Sequence, residues 1–270
     1  MLHDRPLVFS AFQTRGVRAK TIALPAEHGG WGLLFEPIAL GLLVAPSVAG
    51  FYLALSAVGF FLARHPLTLV VLNRKRSSPR TVLARRFATL YLAIGTASFA
   101  GALVFTHHQF ILPLLIAAPF VLVQAVHDWT GRRRVLLSEL TGSIAICSLV
   151  AAIAISGGWS AKASLVLWAI IIAREIPAIL YVRACLRRRR TVNASASSMM
   201  VAHLLAIVMA AVLAGTEAAS PLVIAAFSLL AMRAVIGFLK AKTLTAKQLG
   251  FSEIAFGAMT VIIVACSNYF

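Results

Sequence analysis

The chain has 270 residues, of which 60% are hydrophobic and only 12% are charged. A soluble domain of this length carries roughly a quarter charged residues, so the composition excludes an ordinary soluble protein and indicates an integral membrane protein. The formal net charge of +17 would suggest nucleic acid in a soluble protein. Here the basic residues lie between apolar segments, where topology signals and anionic headgroups account for them, and no nucleic-acid partner is predicted.

Apolar segments recur along the whole chain. Crossing a bilayer takes about 20 mostly apolar residues per helix, and with that length the sequence predicts an all-α protein with nine transmembrane helices. A polar and basic segment, residues 1–29, is predicted to be cytoplasmic, and residues 30–270 to form a single transmembrane domain. The nine predicted spans are residues 30–46, 48–71, 87–106, 109–126, 138–156, 160–182, 199–215, 219–239 and 251–268.

The lysines and arginines test this count independently. Basic clusters precede the first span and follow spans two, four, six and eight, whereas the other connections contain one lysine, Lys162. This alternation follows the positive-inside rule. It predicts a cytoplasmic amino terminus, nine crossings and a carboxyl terminus on the outer side.

Charged side chains also occur inside the predicted spans, nearly all in their cytoplasmic halves. A charge in the hydrocarbon region costs at least ~2.5 kcal/mol on insertion scales, so such residues usually face a cavity or one another. The asymmetry predicts a polar cavity that opens to the cytoplasm. The polar residues within or at the edge of spans are Glu27, His28, Glu36, Arg64, His65, His127, Asp128, Glu139, Arg174, Glu175, Tyr181, Arg183, His203, Arg233 and Glu253.

Helical spacing places several of these residues on common faces. Arg174 and Tyr181 are seven residues apart and share one face of span six, whereas Glu175 points about 100° away. In span one, Glu36 lies about two turns beyond His28 on nearly the same face.

Packing roles remain an alternative for many of these side chains. Arg233 is expected to extend to the cytoplasmic surface, and His127 with Asp128 to mark a helix end. His203 is equally compatible with a core histidine bonded to a backbone carbonyl. The buried arginines and glutamates could also neutralise one another and fix helix packing without forming a functional site.

Four stretches, EHGGWG, ARHP, NRKR and REIPAILYVRACLR, resemble the YwiC-like family of bacterial integral membrane proteins. Members of that family begin their first helix with a similar P-x-E-H-G-x-W-G motif. The resemblance covers most of the chain and implies a multi-pass protein of the bacterial cytoplasmic (inner) membrane. The motif identifies a family rather than a reaction.

A more distant resemblance is to the UbiA-type intramembrane prenyltransferases. It implies a nine-helix bundle with a cytoplasm-facing cavity near the ends of helices two and six. That superfamily holds magnesium and a prenyl diphosphate with two aspartate-rich motifs. Here Asn73 is followed by the run RKR, and the end of span six carries Tyr181 and Arg183. Because Asp4 and Asp128 are the only aspartates, we predict no metal site and no cofactor.

Arginines bind phosphate or carboxylate directly, often through two hydrogen bonds. We therefore predict a pocket for an anionic or isoprenoid, quinone-like amphiphile, with a membrane lipid as its partner and Glu36 and Glu175 as candidate catalytic residues. If the protein is an enzyme, it is a UbiA-like transferase without the magnesium motifs. A small-molecule or proton-coupled transporter and a non-catalytic assembly protein remain alternatives. The predicted substrate-binding residues are His28, Arg64, His65, Asn73, Arg174, Tyr181 and Arg183.

Overall fold

A computed structural model of the chain describes residues 19–24, 28–73, 78–131, 135–191 and 194–267. Within these ranges the protein is helical and has no strand, as the composition predicts. The α-helices are α1 (Lys20–Ala23), α2 (His28–Val44), α3 (Val48–Leu72), α4 (Pro79–Phe105), α5 (Ile111–Trp129), α6 (Leu136–Ser156), α7 (Ala161–Arg190), α8 (Ser197–Gly215), α9 (Leu222–Leu239) and α10 (Ala246–Cys266), with a short 3-10 helix (His108–Phe110) before α5.

Eight of the described helices are long and apolar enough to cross a membrane. They are α3 to α10, with the 3-10 turn counted as part of the α5 span, and they correspond to the last eight predicted spans. The first predicted span, residues 30–46, corresponds to α2. Its apolar part, Gly30–Val44, is shorter than the others.

Two of the helices extend well beyond their predicted spans at basic ends. Helix α4 begins at Pro79 rather than at residue 87, and α7 continues to Arg190 rather than ending at residue 182. Arginine has a high helix propensity, so a helix continues into the polar region until the local sequence ends it. Ser78 caps the start of α4 by accepting from the backbone N–H of Thr81 at 3.2 Å, and proline at the first helical position fits that start.

Helix α6 lies at the centre of the bundle and contacts α2, α3, α5 and α7. In the 18-residue apolar segment of α6, 61% of the residues are buried. The corresponding fraction is at most 44% in the other described membrane-spanning helices. A helix that is apolar on all sides belongs in the interior. Helices α2, α7 and α10 contact one another beside it, and charged side chains of all three meet there.

Candidate functional site

A cavity of about 940 Å³ lies between α2, α3, α6, α7 and α10. Its volume falls within the usual range for small-molecule sites, and apolar side chains cover much of its wall. Six of the nine predicted catalytic and substrate-binding residues lie in this wall, although they come from three separate helices. They are Glu36, Arg64, His65, Arg174, Glu175 and Arg183.

The cavity has a buried inner end and an exposed mouth. Arg174 and Glu175, near the middle of α7, are only 3% and 1% exposed. Arg187 and Arg190 also line the cavity but are exposed. Arg190 lies sixteen residues beyond Arg174, which corresponds to about 24 Å of helix. The cavity therefore follows about half the length of α7.

The inner end is organised around the guanidinium of Arg174. Its Nε lies 2.8 Å from Oε2 of Glu36, and its Nη1 lies 3.6 Å from Glu175 and 3.8 Å from Glu253. Its Nη2 donates to the main-chain oxygen of Glu253 at 2.9 Å. One arginine thus joins α2, α7 and α10.

A second arginine, Arg233 of α9, completes this inner cluster. It pairs with the carboxylate of Glu253 and lies over the rings of Tyr181, at 4.3 Å, and Phe256, at 4.7 Å. Its side chain is 11% exposed, so the prediction that it extends to the membrane surface is wrong. A carboxylate and two aromatic faces stabilise the guanidinium inside the bundle.

Arg64 and Arg183 lie nearer the mouth, and each pairs with a carboxylate. Arg64 binds Asp128 through two hydrogen bonds, from Nε at 2.5 Å and from Nη2 at 2.8 Å. Arg183 donates to Glu139 at 2.8 Å. Asp128 therefore holds α5 against α3 as well as lying near the end of its helix.

The remaining predicted residues occupy varied positions. His65 lies in the cavity wall, with Nε2 at 3.3 Å from the main-chain oxygen of Thr21. Asn73 directly follows the last residue of α3, and its side-chain amide donates to the main-chain oxygen of Leu69. Tyr181 is buried beneath Arg233, and His28 is the first residue of α2. Glu27 and the basic runs at 74–76 and 132–134 lie outside the described residues.

The buried histidine of α8 has a structural partner. Nδ1 of His203 lies 2.9 Å from the main-chain oxygen of Met199, one turn earlier in the same helix. The interpretation of His203 as a core histidine bonded to a backbone carbonyl is confirmed.

Among the residues that contact the buried charged pairs, sequence reasoning missed Gln124 and Gly257. With its amide oxygen oriented toward Arg64, Gln124 accepts from both terminal nitrogens of that guanidinium, at 3.1 and 3.2 Å. Gly257 lies directly against the carboxylate of Glu36. Each lies four residues, about one helical turn, from a charged residue of the site: Gln124 precedes Asp128, and Gly257 follows Glu253. Residues four apart share a helix face, so this spacing could have identified both.

Among the residues that the structure describes, no group of three or more histidine, cysteine, aspartate or glutamate side chains is arranged to hold a metal ion. Three arginines of the wall, Arg64, Arg174 and Arg183, instead pair with carboxylates. This arrangement can bind anions at arginines that lack a carboxylate partner and hydrogen-bond donors at carboxylates that lack one.

Comparison with known proteins identifies one family. The family model described as YwiC-like protein matches residues 24–154, which contain α2 to α5 and nearly all of α6. This match confirms the YwiC-like resemblance over that region, which includes Glu36, Arg64, Asp128 and Glu139. No curated protein and no solved structure matches the chain.

Proposed function

We propose that this YwiC-like membrane protein binds an amphiphile with an anionic or quinone-like head and an apolar, isoprenoid-like tail. The binding site is the cavity between α2, α3, α6, α7 and α10. The observation that carries the proposal is the convergence of polar residues from separate helices on one cavity. If these residues served packing alone, they would have no reason to share a cavity wall.

The pairing of the arginines supports a particular position for the anionic head. Arg64 and Arg183 already have carboxylate partners. Arg187 and Arg190 line the mouth, are exposed, and form no ion pair with any residue in the described ranges. Guanidinium groups bind phosphate or carboxylate through paired hydrogen bonds. In the proposal these two arginines therefore take the head.

The apolar part of the cavity wall suits an apolar tail. It includes Leu33, Phe61, Ile146, Ile179 and Ile254, from five helices. Burial of apolar surface contributes roughly 25 cal/mol per Å², so a long tail would supply much of the binding energy. The inner cluster lies at the buried end of the same cavity, and Glu36 and Glu175 are the proposed acid–base groups there.

The proposed membrane arrangement has nine crossings, with α2 as the first. The amino terminus and the mouth of the cavity face the cytoplasm, and the carboxyl terminus is on the outer side of a bacterial inner membrane. The support is the distribution of basic residues, since Arg85, Arg86 and Arg187–Arg190 lie at the ends of α4 and α7 that the positive-inside rule assigns to the cytoplasm.

A proton-coupled transporter is the second candidate function. It is favoured by the cluster of ionisable residues near the middle of α7, because such clusters often mark ion or proton pathways in membrane proteins. Transport would require a polar path from this cluster to the opposite membrane face, whereas amphiphile binding requires only the mouth.

The test is lipid retention by protein purified in mild detergent, measured by native mass spectrometry with identification of the bound lipid. The wild type is compared with the double variant Arg187→Ala/Arg190→Ala. The matched control is Arg85→Ala/Arg86→Ala, which removes the same charge from exposed positions of α4 outside the cavity.

We expect the wild type and the control to retain one specific amphiphile. The mouth variant should retain it at least about tenfold less, because charge-assisted hydrogen bonds contribute about 1.5–3 kcal/mol each. If the wild type carries only bulk membrane lipid, or if all three proteins retain the same lipid equally, the proposal is wrong and the packing interpretation stands.

A further inference from the structure

The inner cluster contains more acidic than basic groups. Glu36 of α2, Glu175 of α7 and Glu253 of α10 meet two guanidinium groups, Arg174 and Arg233. If all five were ionised, the cluster would carry one net negative charge inside the membrane domain. An unbalanced buried charge is strongly unfavourable.

The excess charge can be assigned to one carboxyl group. Glu253 pairs with Arg233, and Glu36 lies 2.8 Å from Arg174. Glu175 is left with a longer contact of 3.6 Å to Arg174. It is 1% exposed, and neither of its side-chain oxygens has a hydrogen-bond partner among the described residues. Burying an ionised carboxylate without hydrogen bonds to its oxygens is strongly unfavourable.

Glu36 and Glu175 lie against the same guanidinium. Glu36 contacts Nε of Arg174 at 2.8 Å, and Glu175 contacts Nη1 of Arg174 at 3.6 Å. Ionised carboxylates only accept hydrogen bonds, so two of them side by side repel each other. A proton on either carboxyl turns one acceptor into a donor and removes the excess charge.

Within the part of the chain that the structure describes, the neighbouring side chains do not supply the missing positive charge. Cys147 of α6 and Tyr181 of α7 are not cationic groups, and Arg233 of α9 is paired with Glu253. A positive charge on the ring of His203 in α8 would be repelled by both arginines.

We propose that Glu36 and Glu175 share one proton, which makes the inner cluster a proton-binding site. Both residues line the cavity, so the proton reaches them from the mouth and returns by the same path. Uptake takes one proton from water and forms one O–H bond on a carboxyl group. The two remaining carboxylates then balance the charges of the two arginines. This proposal goes beyond amphiphile binding and does not depend on it.

The test is infrared spectroscopy of the full-length protein in detergent at neutral pH. The variants are Glu175→Gln and Glu36→Gln. The control is Glu139→Gln, because Glu139 lies at the mouth, is paired with Arg183 and is partly exposed. We expect the wild type and the control to show the C=O stretching band of a protonated carboxyl group, with a shift in D₂O. Glu175→Gln should abolish the band, since two carboxylates then match two guanidinium groups.

Glu36→Gln should abolish the band as well, because Glu175 then becomes the partner of Arg174. Glu175→Gln removes the excess charge and should fold, so it decides the question even if Glu36→Gln does not fold. The proposal is overturned if the wild type lacks the band or if Glu175→Gln keeps it. Lipid retention does not enter this measurement, so a failure here is distinct from a failure of amphiphile binding.

Discussion

The packing of the inner cluster requires a glycine at position 257 of α10. A Cβ atom at this position of α10 would overlap the carboxylate of Glu36 and would lie 2.7 Å from Nη2 of Arg174. The pair of Glu36 and Arg174 therefore fits only because α10 presents bare backbone to it. Glycine is required here by close approach rather than by its backbone angles.

We predict that Gly257→Ala destabilises the protein by roughly 1–3 kcal/mol, the usual range for overpacking a core. The measurement is the thermal unfolding midpoint in detergent. Gly250→Ala is the control, because it lies in the same helix and a Cβ there meets nothing within 4 Å. The control should keep or raise the midpoint, since alanine has the higher helix propensity. Equal midpoints for the two variants would contradict this explanation.

At the scale of residues, the sequence predicts which charged residues are buried but not which of them contact one another. Arg174, Glu175 and Glu36 are predictable as buried charges because they lie several residues inside apolar spans. Helical spacing placed Glu175 about 100° from Arg174, yet the long arginine side chain bridges that angle. Arg233 was predicted at the surface because no spacing rule relates it to Glu253 or to the ring of Tyr181 on other helices.

At the scale of helices, bilayer thickness predicts where the apolar part of each span lies, but it does not predict where the helix ends. The apolar windows of spans three and six were recognisable, whereas α4 and α7 continue to Pro79 and Arg190. The continuation matters for function because it brings Arg187 and Arg190 to the mouth of the cavity. Sequence alone indicated an anchor to lipid headgroups for this arginine run.

The close contact between α3 and α4 depends on small residues in both helices. A Cβ atom at Gly59 would lie 2.8 Å from the backbone nitrogen of Gly95 and 3.0 Å from the main-chain oxygen of Tyr91. A Cβ atom at Gly95 would instead meet the ring of Phe60, at 3.1 Å. Backbone atoms cannot move aside, but the Phe60 side chain is 43% exposed and can rotate.

We therefore predict that Gly59→Ala lowers the unfolding midpoint more than Gly95→Ala does. Separation of the two helices should cost about 1–3 kcal/mol in the first variant, and rotation of one ring should cost less in the second. Paired thermal unfolding of the two variants in the same detergent measures the difference. A larger loss for Gly95→Ala would show that the Phe60 ring, rather than the backbone contact, limits the approach.

For the whole molecule, the sequence predicts an all-helical membrane domain and a one-sided distribution of charge. It does not predict the cavity itself, because cavity shape depends on how α2, α6, α7 and α10 pack. Two charge arrangements result from that packing. One is the set of arginines at the mouth, of which Arg187 and Arg190 form no ion pair with a described residue, and the other is the acid-rich cluster inside. The claim to be tested is that the apolar part of the cavity holds the tail of an amphiphile.

The most direct test of that claim fills this space. Ala178 of α7 lines the cavity, whereas Ala97 of α4 is exposed on the outside of the bundle. The measurement is the number of tightly bound amphiphile molecules per protein, by native mass spectrometry, in the wild type, Ala178→Trp and Ala97→Trp. We expect one bound molecule in the wild type and in Ala97→Trp. We expect Ala178→Trp to lose that molecule. Retention of the same molecule by Ala178→Trp would contradict it.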